Sequence, residues 1–324
     1  MVLILLLFLA VGCIDTSKKP AVPETTPSIT GTAESTATTP VITVTTPSIT
    51  GTPEPTPTVT VTTPDGTIKL AAFNLQVFGT TKAGKPEVMG VLSKIIRNYD
   101  VIAVQEIRDS SQTALPKLRD AVNSMGTAQY DYVVGERLGR TVSKEQYAYL
   151  YNTQTIQLIG SPYTYPDSND LFQREPYVAN FKVKNGNFDF VLITIHTDPD
   201  TAAQEINDLP KVVEDAKSRY QGEGDFIVMG DLNADCTYFN ENGQSPLRSS
   251  DYYWVINNSI DTTTKSTDCT YDRIIISTPA KTDFTGEAGV FRFDTAYNLN
   301  YESTIAVSDH YPVYAGFWSN RESD

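Results

Sequence analysis

Phe226-Ile227-Val228-Met229-Gly230-Asp231-Leu232-Asn233 carries an apolar run of four straight into a glycine, a carboxylate and, two residues on, a carboxamide. Such a run, bounded by turn formers, reads as a short strand. The polar pair then stands where the strand opens onto a loop. The arrangement recurs along the chain. Ile68–Phe73 runs into Asn74, Val101–Val104 into Gln105-Glu106-Ile107-Arg108, and Phe188–Ile195 into His196, while Ser308-Asp309-His310 immediately precedes a last apolar run. In layered folds of strands and helices, ligands collect at such strand ends.

Working outward, strand-type runs occupy Ile68–Leu75, Val101–Val104, Tyr147–Tyr151, Val178–Val183, Phe188–Ile195, Phe226–Met229, Ile274–Ile276 and Pro312–Phe317. Helix-type stretches lie between them. Pro86–Arg97 places Val88, Leu92, Ile95 and Ile96 on one face, with Pro86 suited to the first turn. Ala202–Tyr220 places Ile206, Leu209, Val213 and Ala216 in register, and Pro210 is predicted to kink or restart that helix. Strands interleaved with helices predict α/β layers. Val191-Leu192-Ile193-Thr194-Ile195 is too continuously apolar for a half-exposed strand, so the sheets should be covered on both faces. Residues 67–324 are expected to form one domain, a length that suffices for a shared core.

The first 66 residues have a different texture. Met1–Gly12 is almost wholly apolar, yet shorter than the roughly 20 residues a membrane-spanning helix needs. It fits an export signal, and Ala10-Val11-Gly12-Cys13 resembles a lipobox, in which Cys13 would be lipidated after cleavage. A plainly cleaved signal is the alternative. Residues 14–66 are rich in Thr, Pro and Ser, and Thr25-Thr26-Pro27-Ser28-Ile29-Thr30-Gly31-Thr32 recurs unchanged from Thr45 to Thr52. Such a segment cannot bury enough apolar area to offset its ordering entropy, so it is expected to be a disordered stalk.

Formal charge is −14, and the two lysines and five acids of residues 14–66 leave the remainder near −11. A protein that grips DNA by charge alone would be basic. Storage and architectural DNA binding are thereby disfavoured, and any nucleic-acid contact should be local and metal-assisted. Beyond Cys13 the cysteines are Cys236 and Cys269. An exported compartment permits their disulfide, which for such a loop would contribute roughly 3–4 kcal/mol. Two buried thiols are the alternative.

The chain holds only two histidines, His196 and His310, both at strand ends beside polar residues. Asn74, Glu106, Asp231, Asn233 and Asp309 offer hard oxygen ligands suited to Mg²⁺ or Ca²⁺. No Cys–His cluster has zinc spacing. Two imidazoles can act as general base and general acid. In-line attack on a phosphodiester needs those roles on opposite sides of phosphorus, with cations or donors on the non-bridging oxygens. Acyl transfer fits poorly, because no serine-centred elbow is present.

Phe73-Asn74, Ile102–Ser110, Phe172-Gln173-Arg174-Glu175-Pro176, Ile195-His196, Met229–Cys236, Cys269-Thr270-Tyr271-Asp272-Arg273-Ile274 and Ser308–Val313 together resemble the endonuclease/exonuclease/phosphatase superfamily, and within it the deoxyribonuclease I family. The resemblance spans Ile68–Phe317 and implies a four-layer α/β sandwich of two mixed β-sheets packed face to face. It implies Glu106 as main Mg²⁺ ligand, with Asn74, Asp231, Asn233 and Asp309 completing the metal and phosphate site. Asp272 would orient His310 and Glu145 would orient His196, the division of base and acid being left open with His310 the preferred base. Arg108, Arg140, Arg174 and Tyr271 would contact phosphates, with Thr267 alongside. The cysteine pair matches a family disulfide. One structural Ca²⁺ would be held by Asp167, Asp170, the Phe172 carbonyl and Glu175. A second would take Asp261, Thr263, Lys265 and Thr267, where Lys265 replaces a threonine.

Three departures accompany the match. A short disulfide loop of the family is missing between Asp167 and Asp170, Ser143 replaces a tyrosine of the DNA minor groove, and Gln76 replaces a DNA-gripping arginine. The last two changes should weaken duplex binding by about 1–3 kcal/mol. The expectation is a monomeric, surface-tethered or extracellular Mg²⁺-dependent endonuclease that cuts DNA with little sequence preference to 5′-phosphate ends, touching membrane only through Cys13. The alternatives are the same fold acting on a phospholipid or other phosphodiester, or a non-catalytic envelope-binding module.

Overall fold

Residues 66–321 are described by the computed structural model. The export signal, the lipidated Cys13 and all of the expected stalk except Gly66 lie outside the described residues. The strands are β1 (Thr67–Phe78), β2 (Val101–Ile107), β3 (Tyr130–Val134), β4 (Gln146–Asn152), β5 (Ile156–Thr164), β6 (Tyr177–Val183), β7 (Asp189–His196), β8 (Phe226–Asp231), β9 (Tyr252–Trp254), β10 (Asp272–Ser277), β11 (Phe284–Val290) and β12 (Val313–Trp318). The helices are α1 (Thr80–Ala83), α2 (Pro86–Ile96), α3 (Ala114–Ser124), α4 (Ala202–Arg219), α5 (Phe293–Ala296) and α6 (Tyr301–Val307).

Two six-stranded sheets run in the orders β11-β12-β1-β2-β4-β3 and β5-β6-β7-β8-β10-β9. Each is antiparallel except for one central parallel pair, β1 with β2 and β7 with β8. Because side chains alternate along a strand, each central strand feeds two cores. Leu70, Ala72, Phe190 and Leu192 pack between the sheets with Ala103, Tyr149, Ile227, Met229, Ile274 and Ile276. Ala71 and Phe73 point outward against Leu92, Ile95, Ile96 and Leu118 of α2 and α3. Val191, Ile193 and Ile195 point outward against Ile206, Leu209, Val213 and Ala216 of α4. The result is the expected four-layer sandwich, helices outside two mixed sheets. Helix α4 runs unbroken through Pro210, so the expected restart does not occur. Proline removes one helical hydrogen bond, and the buried Ile206, Leu209 and Val213 around it hold the helix to the sheet.

Two local devices fix the strand ends. At Gly230, φ is +144° and an added Cβ would drive into the Ile195 carbonyl oxygen of the neighbouring parallel strand, so only glycine fits. The Cys236–Cys269 disulfide, with Cα atoms 5.9 Å apart, then ties the chain after β8 to the chain before β10.

Asp109, just past β2, is buried and accepts N–H bonds from Ser111 (2.9 Å), Thr113 (2.7 Å) and Ala114 (2.7 Å), so it caps the start of α3. Burial alone would raise its pKa, but the Ser111 hydroxyl and these N–H groups hold it well below the usual carboxylate range. Asp109→Asn should therefore cost about 1–3 kcal/mol at pH 7. A depressed folded-state pKa gives stability that is present above the unfolded value of about 3.9 and lost as pH falls. Urea unfolding of both proteins should show the gap narrowing below that pH. A gap of constant size would assign the effect to something other than the carboxylate charge.

Candidate active site

The parallel pairs carry the polar strand ends to one edge of the sandwich. Along the second sheet, register sets His196 of β7 opposite Asp231 of β8, and Asp231 opposite Asp272 of β10. In the first sheet, Asn74 of β1 pairs with Gln105 of β2, beside Glu106. Glu145 directly precedes β4, and Asp309-His310 lies in the short segment between α6 and β12.

Two carboxylate–imidazole pairs converge there. His196 Nδ1 lies 3.0 Å from Glu145 Oε1, and His310 Nδ1 lies 2.8 Å from Asp272 Oδ2. Each ring thereby turns Nε2 inward, and both Nε2 atoms stand 3.5 Å from the same atom, Asp231 Oδ2. The two rings are almost closed off from solvent, at 9 % and 12 % side-chain exposure, so their charges interact in a poorly screened setting. Burial disfavours a charged ring in both cases. For His196, Glu145 and Asp231 outweigh that cost and raise its pKa; for His310, Asp272, Asp231 and Asp309 do the same. Burial would likewise raise Asp231, but the two imidazolium rings hold it below the usual carboxylate range. An imidazolium can give a proton but cannot accept one, so one ring must shed its proton before acting as base.

The remaining oxygen donors gather beside Asp231. Asn74 Nδ2 bridges Glu106 Oε1 at 3.2 Å and Asp231 Oδ2 at 2.9 Å. Asn233 donates its backbone N–H to Asp231 Oδ1 at 3.1 Å and its side-chain amide to the Thr197 carbonyl at 3.0 Å. Asp309 Oδ1 lies 3.9 Å from His310 Nε2, and Asp309 Oδ2 pairs with Lys265 at 2.7 Å. Glu106 and Asn233 have φ of +59° and +46°, as do their neighbours Gln76 (+46°) and Val77 (+52°). Left-handed backbone at non-glycine residues costs about 1–3 kcal/mol each and clusters where side chains must be aimed. Carboxylates and carboxamides of this kind suit a hard divalent cation.

Of the side chains expected at phosphates, Arg108 is a third exposed, 3.1 Å from Glu106 Oε2 and donating to Ser143 Oγ at 3.1 Å. Arg174 pairs with Glu145 and donates to the His196 carbonyl from Nε (3.1 Å) and Nη2 (2.9 Å). The Tyr271 ring lies 6.3 Å from the His310 ring. Arg140 Nη2 donates to Asp170 Oδ1 (2.6 Å) and to the carbonyls of Asp170 (3.1 Å) and Phe172 (3.2 Å), oxygens expected at the first Ca²⁺. In the same loop Asp167 Oδ1 is buried with no hydrogen-bond partner, an acceptor that a cation would satisfy. The second set is joined by bonds among its own members. Asp261 Oδ1 accepts from the Thr263 backbone (2.9 Å) and hydroxyl (2.8 Å), Thr263 Oγ1 reaches the Thr267 carbonyl (2.7 Å), and the Lys265 amine turns away to Asp309.

Tyr147 was not singled out by the sequence. Its buried hydroxyl donates to the His196 carbonyl (3.2 Å) and accepts the His196 N–H (3.0 Å), fixing the backbone under the ring. The signal was its position two residues past Glu145, on the same strand face. Within the Ser308–Val313 motif, the buried Ser308 hydroxyl donates to the Asn74 carbonyl at 2.6 Å and accepts the His310 N–H at 3.1 Å.

Residues 71–310 match the endonuclease/exonuclease/phosphatase family. The chain is 38 % identical to deoxyribonuclease-1 of Bos taurus over 262 residues, covering 76 % of this chain and 91 % of that one. Against deoxyribonuclease gamma of Rattus norvegicus it is 36 % identical over 268 residues, covering 79 % and 86 %. Solved structures share the fold at lower identity. An endonuclease/exonuclease/phosphatase protein from Bacteroides vulgatus superposes with TM-score 0.54 at 15 % identity, covering 78 % of this chain and 98 % of that one. The catalytic domain of human Nocturnin superposes with TM-score 0.52 at 15 % identity, covering 78 % and 94 %.

Proposed function

The chain belongs to the deoxyribonuclease I family of endonuclease/exonuclease/phosphatase proteins, and from that premise we propose that it is an exported, divalent-metal-dependent endonuclease that hydrolyses DNA to 5′-phosphate ends with little sequence preference. The observation that carries the chemistry is the pair of carboxylate-held imidazoles facing one Asp231 oxygen beside Asn74 and Glu106. The fold by itself does not select DNA, because one fold hosts many substrates. The substrate rests on the identity to deoxyribonucleases over most of their length.

Glu106, Asn74, Asp231, Asn233 and Asp309 would hold Mg²⁺, which when bound supplies positive charge for the non-bridging phosphate oxygens. The chain's own residues do the rest. One imidazole takes a proton from the attacking water while its carboxylate partner steadies the resulting charge. The water oxygen bonds to phosphorus as the bond to the 3′-oxygen breaks. The other imidazole gives its proton to that leaving oxygen, which departs as a hydroxyl. Arg108 is placed to meet the phosphate, and, against the cost of burial, His196 first and Arg174 after it keep Glu145 ionised. Asp167, Asp170, the Phe172 carbonyl and Glu175 would hold one structural Ca²⁺, with the orphan Asp167 oxygen as its support. The apolar start, Cys13 and the Thr/Pro-rich segment support delivery to the cell surface on a lipidated stalk.

A plasmid-nicking assay tests this reading. The purified protein is expected to convert supercoiled circles to nicked circles with Mg²⁺, and to leave them intact with chelator. If the folded, Mg²⁺-supplied protein leaves plasmid supercoiled yet cleaves another phosphodiester, the substrate assignment is wrong.

A further inference from the structure

Beside the catalytic residues, one half-buried cation is spent wholly on backbone. Lys82, in the short helix α1, donates from Nζ to the carbonyls of Leu75 (2.9 Å), Gln76 (2.6 Å) and Val307 (3.0 Å). An ammonium has three N–H donors, so none remains for a substrate. Two of these carbonyls belong to the distorted end of β1. The pairing of β1 with β2 shifts register between Asn74 and Phe78, and Gln76 and Val77 are left-handed, so the sheet ladder is interrupted there. The N–H groups of this bulge hold the catalytic side chains: Gln76 donates to Asn74 Oδ1 at 2.8 Å, and Val77 donates to Glu106 Oε2 at 2.8 Å. The third carbonyl, Val307, ends α6 and directly precedes Ser308-Asp309-His310.

We propose that Lys82 is a positioning residue that sets the Asn74–Glu106 half of the site against the Asp309–His310 half, by pinning the β1 bulge and the end of α6 to one nitrogen. The inference rests on the proposed roles of those four residues. Ser308 makes a parallel link, since its hydroxyl donates to the Asn74 carbonyl and accepts from the His310 N–H. Lys82 differs in holding the bulge through its carbonyls, within the break in the β1–β2 register. A cation that meets no substrate can still govern metal binding, because residues that orient ligands typically change metal affinity or activity by about 10- to 100-fold.

The test compares the full-length protein with Lys82→Met by plasmid cleavage over a range of Mg²⁺ and DNA concentrations. In the variant, kcat should fall and the Mg²⁺ concentration for half-maximal rate should rise, each by about 10- to 100-fold. The KM for DNA should stay near that of the wild type. Three results overturn the inference: an unchanged Mg²⁺ requirement, a rise confined to the KM for DNA, or a fall in kcat no larger than the unfolded fraction seen by near-ultraviolet circular dichroism. Should Lys82→Met not fold, Lys82→Arg decides. Its planar fork cannot bring three donors to one point, so the folded variant must still need more Mg²⁺, and wild-type behaviour there overturns the inference. Wild-type protein without metal-dependent cleavage would instead remove the functional reading beneath it.

Discussion

Replacing His196 or His310 with asparagine is expected to lower kcat for DNA cleavage by about 10²–10⁴-fold while leaving duplex affinity nearly unchanged. Both rings lie beneath the surface with Nδ1 held by a carboxylate, so neither contributes much contact area for a duplex. What each contributes is a proton position at Nε2. Because attack and departure are two halves of one displacement, the double variant should be little slower than the worse single one. Turnover under saturating DNA, with binding followed separately by fluorescence polarisation in chelator, checks both parts. Wild-type turnover in either variant would end the two-imidazole mechanism.

Asp231→Asn is expected to lower kcat by a comparable factor and, unlike the histidine changes, to move the whole pH–rate profile. Asp231 Oδ2 stands 3.5 Å from both Nε2 atoms, so its charge favours the imidazolium form of both rings. The isosteric amide keeps the shape and removes the charge. Both imidazole pKa values should then fall. The acidic limb, where the base loses its proton, and the alkaline limb, where the acid loses its proton, should each shift to lower pH. A kcat profile from pH 5 to pH 10 reads the shift directly. Limbs that stay in place while kcat drops would confine Asp231 to binding metal or phosphate.

The strands legible in the sequence and the strands missed divide along a physical line. The eight expected runs became β1, β2, β4, β6, β7, β8, β10 and β12, which are the interior strands of the two sheets. The four that went unread, β3, β5, β9 and β11, are the four sheet edges. Interior strands are paired on both sides and covered on both faces, so they must be apolar almost throughout. An edge strand has one neighbour and meets water, which leaves its composition free. Gly160-Ser161-Pro162 in β5 and Gly286-Glu287 in β11 carry no apolar run, and pairing to β6 and β12 makes them strands. For the same reason Pro210 did not break α4, where burial against the sheet outweighed one lost hydrogen bond.

For the site, the sequence by itself determined which chemistry was present. Acid, amide and imidazole at the ends of continuously apolar strands are the groups that the proposed hard-cation, proton-transferring chemistry needs, and such side chains are costly at the rim of a core unless they are used. What only the tertiary structure decided was how they meet. That two rings 114 residues apart turn to one oxygen follows from the registers of β7 with β8 and β8 with β10, which adjacent residues do not encode. Arg174 and Arg140 read as phosphate contacts in the sequence, and the fold adds partners that adjacent residues do not encode, Glu145 and the His196 carbonyl for the first and the Asp170 loop for the second. Lys82 gave no sequence signal at all. A lysine four residues after a strand reads as a solvated charge, and it gains a role only when the fold brings the carbonyls of residues 75, 76 and 307 to within reach of one ammonium.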